Sequence, residues 1–496
     1  MRKVSTLLAV AVILAILPAA ALGQSGITWD TEIVIMNLGT DVAYVTVYYY
    51  DHEDGTGTGG LNDSEDKTIA AGGSIKFTPA VASGFNGSAV VESTEPIAVI
   101  VNEMGDPGTY TYNASYMGFD AGSGEVRLPA LMSCNSGYYT FFNVQNAGSE
   151  ATTVTVDYID WQKPSDFTPA NETVDLDPGE AHTFTQEPGS AIGQFPSRSD
   201  CYTSAYRWIG GAKITSTGGV PVVATANQVH ADAAWGMSSY SGFTGVGSSS
   251  AVLPAIMYEN SPDPDGDRYW SGIAVANVGD ATTTVTYSFF PADGAAVSDI
   301  TVELTVDELD FLLMGEQRTF DAGLVDGEKW LGTVVVDGGG ENIMVMTNQL
   351  SNKRGELSAW KGIDPATASD TIQLPLILSD NLPGEIWWSG FMVYNLDPSS
   401  QATVTVEYTE CGPPYCATAW TPSNEVWTLD PETSYWWLQS GDWTWQGWND
   451  WSGKYYFGNA TVTSNAGQPI VAIVSLLGSS QQDNGELTNS YNGLNR

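Results

Sequence analysis

Basic residues are scarce in this chain: 17 Lys and Arg stand against 58 Asp and Glu in 496 residues, a formal charge of -41. No basic patch of useful density can be built from so few, so nucleic-acid binding and attachment to an anionic membrane surface are disfavoured. Histidine is nearly missing as well. The three present, His52, His182 and His230, stand in different contexts, and none neighbours a cysteine. That disfavours zinc. No Gly-x-Ser-x-Gly elbow occurs. Gly55-Thr-Gly-Thr-Gly-Gly60 is not followed by Lys-Ser/Thr, and it reads as a hairpin tip rather than a phosphate cradle. Nothing singles out a carboxylate pair for glycoside hydrolysis. The expectation is a protein that is not an enzyme and needs no cofactor, with calcium as the one open question.

Long apolar runs are also lacking. Leu7 to Leu17 is the main one, shorter than the roughly 20 residues of a membrane helix. It follows Arg2 and Lys3 and precedes the small residues Ala21-Leu-Gly23, so residues 1–23 read as a secretory signal peptide. The expected mature chain starts at Gln24, has no membrane insertion, and is secreted or held at the cell surface. Its charge would be 15 − 58 = −43, because the leader carries two basic and no acidic residues. Such charge favours solubility. Neutralisation by divalent cations or salt is the sharper reading.

Cysteine is limited to four, an even number that suits two disulfides in a secreted chain. Cys411-Gly-Pro-Pro-Tyr-Cys416 reads as a small ring at a hairpin tip, which leaves Cys134 to pair with Cys201.

What the chain does hold is a repeat. Ile33-Val-Ile-Met-Asn37-Leu-Gly39 is followed by Val45-Thr-Val47-Tyr-Tyr49. The pattern returns at Phe142 to Gly148 with Val154 to Tyr158, at Ile273 to Gly279 with Val285 to Phe289, and at Phe391 to Asn395 with Val404 to Tyr408. Large apolar residues stand two and four positions before each Asn, and again eight, ten and twelve after it in three copies. In the fourth copy the second set comes one residue later. This period-two alternation predicts two strands, each with one buried face, around a turn. Four such units make a repeat protein.

Further landmarks recur. Ile69 to Ile75, Leu176-Asp-Pro-Gly-Glu180 and Leu429-Asp-Pro-Glu-Thr433 mark a turn, with a weaker form at Leu304 to Glu308. A predicted hairpin follows, at Gly87 to Asn102 in the first copy. An aromatic-x-Gly closes each unit, at Tyr116, Tyr240, Trp360 and Tyr491. Leu-Pro segments at 128–132, 253–257 and 374–378 read as the opening strand of the copy that follows.

Six or seven short strands in each unit, rich in Val, Thr, Ile and Tyr, predict an all-β sandwich per copy. The expected domains are 24–127, 128–252, 253–373 and 374–496. Val-x-Asn-x-Gly, then Val-Thr-Val-x-Tyr, then Leu-Asp-Pro-Gly-Glu resembles the immunoglobulin-like adhesion-associated repeats of bacterial and archaeal surface proteins, best in the second copy. The resemblance covers the first half of each copy. It implies four tandem immunoglobulin-like β-sandwiches in an extracellular structural or adhesive module, with no catalytic residues.

Three features point to ligands or partners. Asp263, Asp265 and Asp267 alternate around Gly266, as calcium ligands do; a solvated acidic turn is the other reading. A second acidic stretch includes Asp51, Glu53, Asp54, Asp63, Glu65 and Asp66. Ten of 17 tryptophans fall between Trp387 and Trp451. Alternation should put one of each adjacent pair outside, so Trp436, Trp437, Trp443, Trp445, Trp448 and Trp451 are candidates for a glycan platform or for packing on a neighbour. Five sequons, at Asn62, Asn86, Asn113, Asn171 and Asn459, permit glycosylation.

The leading expectation is a secreted, non-catalytic subunit of a sheath, surface layer or filament. A carbohydrate-binding adhesin working through the fourth copy is the alternative, and a secreted hydrolase the third. After cleavage the first copy would have no opening strand, and its open edge would suit self-association or another surface protein. Packing of the Leu-Pro segments between neighbouring domains is the competing account.

Overall fold

The computed structural model describes residues 8–12, 28–51, 61–81, 85, 87–106, 112–163, 167, 169–197, 207–231, 236–260, 268–351, 357–379, 385–410, 422–439, 451, 456–480 and 486–495. The fold is all-β, built from four sandwiches of two antiparallel sheets each.

Repeat 1 holds β1 (Leu8–Val12), β2 (Thr28–Asn37), β3 (Ala43–Asp51), β4 (Leu61–Ile69), β5 (Ser74–Phe77), β6 (Gly87–Ser93), β7 (Ile97–Asp106) and β8 (Tyr112–Met117). Its sheets have the orders β1-β6-β3-β4 and β5-β2-β7-β8. Repeat 2 holds β9 (Glu125–Ser133), β10 (Tyr138–Asn146), β11 (Thr152–Gln162), β12 (Glu172–Leu176), β13 (Ala181–Thr185), β14 (Trp208–Ser216), β15 (Val222–His230), β16 (Met237–Ser241) and β17 (Phe243–Thr244). Repeat 3 holds β18 (Ser250–Tyr258), β19 (Tyr269–Asn277), β20 (Thr283–Asp293), β21 (Ile300–Leu304), β22 (Leu309–Leu313), a short α1 (Gln317–Asp321), β23 (Trp330–Asp337), β24 (Ile343–Ser351) and β25 (Leu357–Lys361). Repeat 4 holds β26 (Thr371–Ser379), β27 (Glu385–Asn395), β28 (Ala402–Glu410), β29 (Glu425–Leu429), β30 (Ser434–Leu438), β31 (Tyr456–Ser464), β32 (Ile470–Ser480), β33 (Glu486–Asn492) and β34 (Leu494–Asn495). The sheet orders of repeat 1 return in every repeat, with β17 and β34 added outside β9 and β26.

The strands flanking each Asn are not hairpin partners. β2 pairs with β5 and β7, whereas β3 pairs with β4 and β6, in the opposite sheet. The predicted hairpin of β6 and β7 is likewise a crossing between sheets. The Asn side chain is the physical reason for the first crossing. Asn37 is fully buried, and its Nδ2 donates to the carbonyls of Asp41 at 2.7 Å and of Ile69 and Ala70 at 3.1 Å. Its Oδ1 accepts from the Gly39 amide at 2.8 Å. One amide therefore closes its own loop and ties it to the β4–β5 turn. Asn146, Asn277 and Asn395 do the same. In repeat 4 the loop carbonyl comes from Ser400, five residues on rather than four, which absorbs the extra residue.

The Leu-Pro segments are opening strands. β9, β18 and β26 pair with β14, β23 and β31, and each carries a register shift at Leu128/Leu131, Leu253/Ile256 or Leu374/Ile377. Proline has no N–H to give a ladder, so it sits at the bulge. These strands begin at Glu125, Ser250 and Thr371, ahead of the expected boundaries.

Each core lies between its two sheets. In repeat 1 it is made by Ile33, Ile35, Val45, Val47, Tyr49, Ala89, Val91, Val99 and Val101. Alternation holds along β11, whose pattern starts buried, half-buried, buried. It fails along β10, where every residue is buried. The cause is a second face covered by a neighbouring repeat. The chain forms two compact units, Met1–Gly245 and Val246–Arg496, each containing two repeats.

Candidate functional site

Within each unit the two repeats meet edge to edge, β8 against β16 in the first and β25 against β33 in the second. This seam gathers a cluster of buried polar side chains of the first unit. Gln145, on β10, sends Nε2 to Ser88 Oγ at 2.7 Å and to the Gly179 carbonyl at 3.1 Å. Ser88 Oγ also donates to that carbonyl, at 2.9 Å. Ser239 Oγ donates to Asn227 Oδ1 and, at 3.4 Å, to Glu103 Oε2. Ser241 Oγ donates to the Met117 carbonyl at 2.5 Å. Glu103 is buried, and burial pushes its carboxyl up to about 8 against the pull of Ser239 and Asn227. It is therefore a neutral acid near pH 7.

In the second unit the same seam is apolar. Met392, Ile473 and Trp436 pack into the core cluster of repeat 3. Tyr394 and Val471 pack with Val252, Ile363, Phe290 and Val335, and the Tyr394 and Phe290 rings are 5.9 Å apart. Hydroxyls flank this patch, with Thr333 Oγ1 2.9 Å from Ser434 Oγ and Ser358 Oγ 2.8 Å from Ser490 Oγ.

A second recurring constellation is a tyrosine and a carboxylate inside the sandwich. Tyr49, Tyr158 and Tyr408 occupy the same place on β3, β11 and β28. Their hydroxyls meet Glu65, Glu172 and Glu425, which lie opposite Val47, Val156 and Val406 on the next strand. Burial, with the nearby carboxylate charge, holds all three phenols above their ordinary range. Each phenol therefore stays a hydrogen-bond donor. The pair satisfies two polar groups in an apolar setting. Its sequence signal is a Glu four residues before the Ile or Leu that ends the strand (Ile69, Leu176, Leu429), downstream of Val-x-Val-x-Tyr. Sequence reasoning missed it. In repeat 3 Tyr287 donates instead to Asp310 at 2.8 Å, and Arg318 Nη1 bonds both Asp310 oxygens.

The residues singled out in the sequence are dispersed. Asp263, Asp265 and Asp267 lie outside the described residues. Among the described residues no group of metal-ligating side chains gathers. Of the other acidic stretch, Glu65 pairs with Tyr49 and Lys67, and Asp66 accepts from Thr46 at 2.8 Å. Cys201, Cys411 and Cys416 are also outside. Cys134 is buried just after β9, and no free cysteine occurs among the described residues. Trp443, Trp445 and Trp448 are outside. Trp437 is buried with its ring stacked on Phe391 at 5.3 Å, and its neighbour Trp436 faces repeat 3, so alternation held for this pair. Trp451 is buried against Tyr408 at 5.3 Å and Tyr456 at 5.5 Å. These three are thus committed to protein contacts. Among the sequons Asn62 and Asn171 are exposed, but Asn459 is buried and closed to a glycan. Among the described residues no helix is long and apolar enough to cross a membrane.

No protein-family model matches the chain, and no curated protein does. A crystal structure of a Thermotoga maritima protein designated 1070 is similar at 14% identity over 25% of this chain and 96% of its own, with a TM-score of 0.17.

Proposed function

We propose that the chain is a secreted, non-catalytic structural protein, a subunit of a surface layer, sheath or filament. The carrying observation is repetition at two levels. One sandwich topology occurs four times, and one side-by-side seam occurs in both units. Recurring polar groups, the four Asn amides and the Tyr–Glu pairs, hold the scaffold itself. A leader at residues 1–23 and disulfides Cys134–Cys201 and Cys411–Cys416 belong to this reading, as does calcium at Asp263, Asp265 and Asp267.

Imaging the native protein on its cell tests the reading. A regular layer or fibre is the expected result. Dispersed single molecules, together with glycan-array binding by the full chain, would favour the adhesin through repeat 4. Turnover of a polysaccharide by the purified protein would favour a hydrolase.

A further inference from the structure

Every repeat pairs a strand with the outer edge of its β6-type strand. In repeats 2, 3 and 4 that strand is internal to the chain: β9, β18 and β26. In repeat 1 it is β1, which lies inside the segment read as a leader. Val12 stands opposite Ala89 and Val10 opposite Val91. Repeat 2 has the same register, with Leu128 opposite Ala212 and Val126 opposite Ile214. The preceding glycines confirm the equivalence. A Cβ on Gly87 would lie 1.9 Å from the Tyr50 carbonyl, and one on Gly210 would lie 2.1 Å from the Ile159 carbonyl. Leu8–Val12 therefore fills the place of an opening strand.

The expected cut before Gln24 falls between β1 and β2. It would remove the opening strand and leave the rest of repeat 1 intact. Ala89, Val91 and Ser93, each at most 1% exposed, would then stand at an open edge. That edge is poorly defended. β6 carries one charge, Glu92, whereas β4, at the other edge of the same sheet, carries Asp63, Glu65, Asp66 and Lys67. Charged side chains blunt an edge against pairing, and an uncharged edge invites it.

We propose that the outer edge of β6 is a strand-acceptor site, held by Leu8–Val12 until the leader is cut and taken afterwards by the same edge of a second copy of this chain. The Leu-Pro strands of a neighbour cannot serve, because each is locked into its own repeat. Two cut chains present identical rows of N–H and C=O groups, and antiparallel edges of that kind are self-complementary. The proposal rests on the secreted, leader-cleaved reading above.

Three full chains test it by sedimentation at about 10 μM, near the affinity range of modest interfaces. The chain retained from Met1 should be monomeric. The chain starting at Gln24 should be dimeric, with β6 amides protected from hydrogen exchange in the dimer and exposed on dilution. A chain with Leu-Pro-Ala-Leu-Met placed before Gln24 should need about tenfold higher concentration, or more, to dimerise. A monomeric Gln24 chain or equal dimerisation of the Met1 chain would each overturn the β6 pairing. Should the Gln24 chain not fold on its own, a protease site placed at Ala21–Gly23 lets the folded Met1 chain be cut. Dimer formation should then accompany loss of the leader peptide; retention of that peptide on a monomer refutes the hand-over. N-terminal sequencing of the native protein separates the two claims. A start at Met1 defeats the cleavage reading, while the Gln24 chain still reports on the edge.

Discussion

The two seams use the same strands and differ in their contents. Repeat 2 presents Asn143, Gln145, Thr225 and Asn227 to repeat 1; the matching positions of repeat 4 are Met392, Tyr394, Ile473 and Ser475. In the first unit Asn143 Nδ2, Gln145 Oε1, Thr225 Oγ1, Asn227 Nδ2 and Glu103 Oε1 are buried without a protein hydrogen bond. Each such group costs on the order of 1–3 kcal/mol. In the second unit methionine, tyrosine and isoleucine fill the same place and gain by burial. The difference teaches that the sandwich does not depend on what its seam contains. It also makes the pairs selective, since the Gln145 amide of repeat 2 set against Phe290 and Val335 would lose its Ser88 partner.

The largest expected effect lies in the apolar seam. Met392→Ala should lower the stability of the second unit by about 2–5 kcal/mol, because a fully buried side chain leaves a cavity between two repeats. Hydrogen exchange of β27 and β32 in the full chain would register it. Unchanged protection there would mean that the seam contributes nothing.

The polar seam should respond in the opposite direction. Glu103 stays protonated in the folded state up to about pH 8, whereas in the unfolded chain it ionises above its ordinary value of 4.5. The folded state binds the extra proton, so stability falls as pH rises between those two values and is level below them. Glu103→Gln removes that slope. The gain should be negligible at pH 4 and about 3 kcal/mol at pH 7. Denaturation at several pH values checks this; a gain independent of pH would place the ionisation elsewhere.

The smallest effect compares one turn across the units. The left-handed position after β12 is Gly179, with φ +85°, and its counterpart after β29 is Glu432, with φ +53°. Glu432→Gly should stabilise the second unit by about 0.5–1 kcal/mol by relieving the backbone. Gly179→Ala should destabilise the first, because its Cβ would lie 2.4 Å from the Tyr50 ring. Thermal melts of both variants decide it.

Much of this architecture was legible in one dimension. The period-two pattern around each Asn, the Leu-Pro openers and the count of four repeats follow from the sequence, because side-chain alternation and proline's missing N–H are local properties. The Tyr–Glu pairs had a readable spacing that only the strand register made meaningful. The candidate glycan platform was less legible: Trp436 and Trp437 alternate as a strand requires, but an outward face says nothing about what covers it.

Composition and spacing by themselves determined an all-β chain of four like units with few cations. Tertiary structure decided three things. It sent the strands flanking Asn37 to opposite sheets, because a buried amide reaching Ile69 and Ala70 outweighs the hairpin that a short turn also permits. It joined the repeats in twos, because the second faces of β10 and β27 find cover on a neighbour far away in the chain. It also gave Leu8–Val12 an edge to pair with, since an open row of backbone donors and acceptors accepts any strand of fitting register, and no reading of an apolar run can tell a leader from a strand until that edge is in view.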